Sequence, residues 1–180
     1  RWAAIATLGT GLLITGIIEN YWSRSGDAHK YTISIGMTLG TLMAANVWMI
    51  IWKNQKVVLA NAVNVIGGAA ADPAAAGAGR KALLASRANF IFSFSMLWFM
   101  VGPAHFYPAA FPNATSSNAM TLLIIALVLT AILQINALGL LGGTAATNKL
   151  LWPFESHKNA MITGGILWLI LWVASEVLLK

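Results

Sequence analysis

Long apolar runs, broken by very little charge, dominate this chain. Five stretches, Trp2–Ile18, Tyr31–Trp52, Ala82–Val101, Ala119–Leu141 and Ala160–Leu179, take up more than half of its 180 residues. Hydrophobic residues make up 58 % of the sequence and charged residues 9 %. A soluble domain of this size has too little interior to hide so much apolar surface. The sequence therefore predicts an all-α chain, a polytopic transmembrane helix bundle of about five spans forming one domain over residues 1–180. A helix rises about 1.5 Å per residue, so about 20 residues cover a hydrocarbon core about 30 Å thick. The last four stretches meet that length and the first is marginal. With Arg1 ahead of it, Trp2–Ile18 also has the look of a signal-peptide core. Glu19, Asn20, Tyr21 and Trp22 stand where a small-residue cleavage site would be needed.

Basic residues concentrate in cytoplasmic loops, and their distribution here is uneven. Lys53, Lys56, Arg80, Lys81 and Arg87 lie around the second connection, Lys149 and Lys158 in the fourth, and Arg1 at the start. Only Arg24, Lys30 and Lys180 fall on the other side. This predicts an inside N-terminus, an outside C-terminus and a multi-pass protein of a bacterial inner membrane. Its partners are then the lipid bilayer and other membrane subunits, and the net charge of +6 calls for no nucleic acid. Trp22, Trp52 and Trp152 sit at expected span ends, where an indole suits the headgroup zone. Lys53–Ile66 reads as a prolongation of the second helix to Gly67-Gly68. Asp72-Pro73 reads as the start of the third, which enters the bilayer near Arg87.

Polar residues within the spans are the candidate functional groups. Counting from Lys53, Lys81 and Leu141 puts Asn46, Asn89 and Gln134 at one depth, with Asn136 close by and Arg87 just below. Amides in hydrocarbon need partners. They form either a structural hydrogen-bond layer or a polar pocket for a ligand such as a quinone headgroup. Gly36, Gly40 and Ala44, four residues apart, make a stripe suited to close approach by another helix.

The chain has no cysteine, which removes disulfides, thiolate metal sites, iron–sulfur clusters and covalent haem attachment. His29 and His105 are expected outside and His157 inside, none at mid-membrane. No cofactor or metal is expected within the chain, with a haem held between His29 and His105 as the alternative. Glu19 and Glu176 are expected near outer helix ends, snorkelling or pairing with Arg24. Phosphate-binding glycine loops, His-Glu-x-x-His and paired carboxylates on one helix are all absent. Asn113-Ala114-Thr115 fits a glycosylation sequon, which matters only in a eukaryotic secretory pathway. A transporter would call for Gly/Pro-broken helix pairs at mid-membrane, which these spans lack.

The run from Gly36 to Val58, containing Gly40-Thr41-Leu42-Met43-Ala44-Ala45-Asn46-Val47 and Asn54-Gln55-Lys56, resembles the membrane domain of bacterial cytochrome-linked urate oxidases (urate hydroxylases). The likeness continues through Asp72-Pro73, Arg80-Lys81, Ala85-Ser86-Arg87-Ala88-Asn89, Met96-Leu97-Trp98-Phe99-Met100 and His105. The resemblance covers Gly36 to Pro108 and is weaker over the last two helices. It implies Asn46, Asn89 and His105 as site residues and a c-type haem on a separate partner. The family's larger proteins carry a further N-terminal helix with His and Trp and a C-terminal cytochrome, and neither falls within these 180 residues. Lys53 replaces the family's Pro, and Gln134-Ile135 stands where an Arg-His pair is expected. The expected role is an accessory or scaffold subunit of a larger membrane electron-transfer complex. The alternative is the membrane component of an oxidase acting on urate or another small reductant.

Overall fold

The computed structural model describes residues 2–18, 21 and 28–180, with the backbone alone for Ala4 and Ile18. Arg1, Glu19, Asn20, Trp22 and Arg24, invoked above for orientation, pairing and anchoring, lie outside the described residues. Among the described residues all regular structure is helical.

Helix α1 (Trp2–Leu13) runs into a π-helical segment, Ile14–Ile18. Helix α2 (Ala28–Ala45), a second π segment (Asn46–Ile51) and α3 (Trp52–Ile66) follow one another without a break. Next come α4 (Ala74–His105), the short α5 (Tyr107–Ala110), α6 (Ser116–Ala137), the short α7 (Trp152–Glu155) and α8 (His157–Leu179). Among the described residues four helices are long and apolar enough to cross a membrane: Ala28–Ile66, Ala74–His105, Ser116–Ala137 and His157–Leu179. They correspond to the last four of the five expected stretches. In the first stretch the described residues hold a shorter apolar helix, Ile5–Ile17.

The four long helices close into a ring. α4 packs on α2 and α8, and α6 packs on both α2 and α8, while α1 lies along α2. The core at their centre includes Leu39, Leu84, Ile91, Phe92, Phe99, Leu122, Leu151, Phe154 and Leu171, all buried. The periphery is greasy too: Met49, Leu97, Ile124, Val128, Ile166 and Val177 are exposed. That inversion of the soluble pattern suits a hydrocarbon surround.

Helix ends follow local chemistry. α3 stops at Gly67, with Gly68 at φ +87°, a left-handed backbone that glycine adopts without a Cβ clash. Asp72 Oδ1 accepts from the Ala74 amide at 2.8 Å, and Asn61 Oδ1 accepts from the Asp72 amide at 2.6 Å. These bonds fold α3 back on α4 as an antiparallel hairpin. Thr115 and Ser156 cap α6 and α8 through the amides of Asn118 and Asn159. α6 ends at Ala137 rather than Leu141. The Leu140 amide reaches back to the Ile135 carbonyl and the Gly139 amide to Asn136, with Gly139 at φ +77°. α4 continues past Val101 through Pro103, so His105 is its last residue instead of lying beyond it. His29 likewise falls in the first turn of α2, and His157 opens α8.

Candidate functional site

Asn46 is the centre of the site. It lies where α2 gives way to the π segment, and its side chain is buried. A π turn carries one more residue than an α turn, and such bulges recur at functional positions. Its signature here is the Trp52 amide donating to the carbonyl of Val47, five residues back.

The structure brings three of the sequence-predicted amides together. Asn46 Nδ2 donates to Asn89 Oδ1 at 2.8 Å and to Gln134 Oε1 at 3.0 Å. Gln134 Nε2 returns a bond to Asn46 Oδ1 at 2.7 Å. Asn89 Nδ2 donates to the Met43 carbonyl at 3.0 Å. Helices α2, α4 and α6 are thus tied at one level by a reciprocal amide pair and a third amide. Asn46 and Gln134 are buried and Asn89 is half-buried.

Arg87 and Asn136 do not join them. Arg87 Nη1 donates to the carbonyl of Phe154, and its Nε is buried without a partner. Asn136 Nδ2 donates to the carbonyl of Leu150 at 2.6 Å, and its Oδ1 is buried without a partner. Both side chains reach the connection between α6 and α8. Asn136 lies two residues beyond Gln134, which turns it about 200° around the helix. The expected four-amide layer is therefore a three-amide node with a separate anchor beneath it.

Beside the node lies a cleft of about 390 Å³ between α1, α2 and α4, with Asn89 among its lining residues. Its walls include Met37, Met43, Met96 and Met100, with Thr7, Thr15 and Thr41 from α1, its π segment and α2. The small-residue stripe divides here. A Cβ on Gly36 would stand 2.9 Å from the Phe99 carbonyl carbon and the Met100 side chain, so α4 touches α2 at that point. A Cβ on Gly40 would meet only Met96, at 3.9 Å, and Gly40 and Ala44 line the cleft. Close helix approach therefore holds at the first position of the stripe, while the cleft occupies the space beside the next two.

At the opposite end of the bundle, His29 Nδ1 donates to the Pro103 carbonyl at 3.0 Å, joining the start of α2 to the end of α4. His105 is exposed beside Phe106. Among the described residues no group of three or more His, Cys, Asp or Glu is placed to hold a metal ion. Glu176 pairs with Lys180 at 2.5 Å. Trp98 Nε1 donates to Tyr107 Oη at 3.1 Å, which lies 3.2 Å from Ser175 Oγ, and Ser175 donates to the Leu171 carbonyl. This second polar knot ties α4, α5 and α8. Sequence reasoning missed it because Tyr107 sits in a connection and serine bonds its own helix in any apolar run. Its signal was a tyrosine beside Pro108 that needs a partner once buried.

Another missed contact lies at the lysine-rich end. Arg80 forms a two-pronged ion pair with Glu155, and its Nε donates to the Thr144 carbonyl at 3.0 Å. The Arg80 bonds hold the Glu155 carboxyl below the usual carboxylate range, against a smaller opposing effect of burial. This clamp fastens the long connection between α6 and α8 to the first turns of α4.

The fold and its interior define a class, an apolar four-helix ring held by an amide node, with a short helix laid along one side. The Urate oxidase N-terminal family profile matches residues 6–172, and the chain belongs to that family. No curated protein and no solved structure matches it.

Proposed function

We propose that this chain is a bacterial inner-membrane protein serving as an accessory or scaffold subunit of a larger electron-transfer complex. The amide node carries this reading. Each of its four hydrogen bonds joins two different helical segments of the bundle, the arrangement of an interior built to hold helices together. The family's name, that of an oxidase N-terminal part, supports a redox setting. The electron carrier, a c-type haem in this reading, resides on a separate partner. The Lys53–Arg87 end faces the cytoplasm and Lys180 faces outward, with lipid and other membrane subunits around the ring.

One observation favours a second reading, an oxidase component acting on urate or another small reductant. The cleft reaches Asn89, whose amide has a further N–H beyond the one given to Met43. A small planar polar molecule could accept that donor.

A redox spectrum of the native assembly, isolated in mild detergent, separates the two. The scaffold reading expects larger partners in fixed stoichiometry, with every haem signal travelling with them. Haem retained by the isolated chain, or urate-dependent reduction that disappears with Asn89→Leu in an intact assembly, establishes the second reading instead.

A further inference from the structure

At the lysine-rich end, α3, α4 and the end of α6 enclose a hollow of about 350 Å³ lined by Met49, Ile50, Lys53, Asn54, Lys81 and Leu138. We propose that it binds the phosphate of an anionic phospholipid, with an acyl chain laid over Met49, Ile50 and Leu138. The inference rests on the membrane placement given above. Lys53 and Lys81 come from different helices and line one hollow, and both are exposed. Among the described residues, carboxylates pair with Arg80 and Lys180, not with these two lysines.

The nearest rival partner for the lysines is the C-terminal end of α6, where carbonyls carry partial negative charge. Three of those carbonyls already accept backbone bonds. Gln134, Ile135 and Asn136 accept from the amides of Leu138, Leu140 and Gly139 respectively. Each ammonium group has three donors, so even a lysine that reached a remaining carbonyl would keep donors for an outside anion. Asn54 gives one amide hydrogen to the Ile50 carbonyl at 2.8 Å and keeps a second.

Height and apolar surface argue for a lipid rather than a free ion. Trp52 is adjacent in sequence to Lys53 and partly exposed, with Lys56 Nζ 5.7 Å from its ring centroid. An indole of this kind marks the headgroup level. Met49 is 71 % exposed and Leu138 40 %, an apolar surface inorganic phosphate does not use. Basic hollows between helices on the cytoplasmic side are suited to anionic headgroups.

The test uses the full chain in mild detergent, titrated with short-chain phosphatidylglycerol, phosphatidylcholine or inorganic phosphate, with bound molecules counted by native mass spectrometry. One phosphatidylglycerol should be retained in preference to phosphatidylcholine. A lysine at a membrane surface strengthens anionic-lipid binding by about fivefold, so Lys53→Gln with Lys81→Gln should weaken it by about thirtyfold. Lys53→Arg with Lys81→Arg should retain it, since charge is kept. Lys149→Gln with Lys158→Gln, equal in lost charge, should also retain it. Equal binding of the two lipids, an equal loss in that control pair, or displacement by inorganic phosphate at matching concentration would each overturn the proposal. Should the Gln pair fail to fold, the lipid preference of the native chain and of the Arg pair still decides. Recovery of the chain in the soluble fraction of cells broken without detergent overturns the membrane placement. Recovery with membranes but without lipid preference sinks this site alone.

Discussion

Asn46 illustrates how a single polar residue organises an apolar bundle. Both its amide hydrogens and its oxygen are engaged by other helices. Asn46→Leu removes one side of the reciprocal pair and leaves Gln134 buried without it. An orphaned buried polar group costs about 1–3 kcal/mol, whereas exchanging both partners for apolar groups is often close to neutral. Gln134→Leu should therefore cost clearly less in the Asn46→Leu background than in the native chain. Denaturation in mixed micelles gives the four stabilities of this cycle, and strictly additive losses would refute the coupling. The three amides were legible in the sequence because each interrupts an apolar run at a countable distance from a span end. Asn136 was misplaced because depth counting ignores azimuth. Two residues along a helix change the height by about 3 Å but turn the side chain to a different neighbour.

Connections between elements follow a different rule. The Gly67-Gly68 stop and the Asp72-Pro73 start were readable because each acts on its own backbone. The Arg80–Glu155 clamp was not, since its partners are far apart in sequence and meet only after α4, α6 and α8 have packed. The clamp carries a pH signature. Glu155 is held below its usual pKa of 4.5, so the folded state prefers its ionised form more than the unfolded chain does. Its contribution is complete above the unfolded value and is lost as pH falls through the lowered folded value. Glu155→Gln should thus reduce stability at neutral pH and flatten the decline below about pH 4.5. Thermal unfolding of both proteins in detergent across pH 3–7 checks this. Parallel acid limbs would show that another carboxylate governs the decline. The π segments also escaped sequence reading. A five-residue turn leaves no compositional mark, and Asn46-Val47-Trp48-Met49 reads equally well as α-helix.

Across the whole molecule, the four-helix ring places the hairpin tip of α3 and α4 at one end and the α5 connection at the other. The absence of cysteine makes this arrangement simple to probe. Single cysteines at Ala70 and Ser117, both exposed, should react with an impermeant maleimide from opposite faces of the membrane. Labelling of both from one face is incompatible with the proposed crossing. The marginal stretch, Trp2–Ile18, is apolar but changes helix type at Ile14, which hydrophobicity alone does not reveal. The continuous helix from Ala28 to Ile66 has 39 residues, about 58 Å at the usual rise and roughly twice the hydrocarbon thickness. Its π segment acts as a phase shifter within this rod. The extra residue displaces the angular register of everything beyond it by about one residue step, close to 100°. The face that α2 turns to its neighbours and the face that α3 turns to α4 are consequently set by separate clocks, and one inserted residue sets the offset between them.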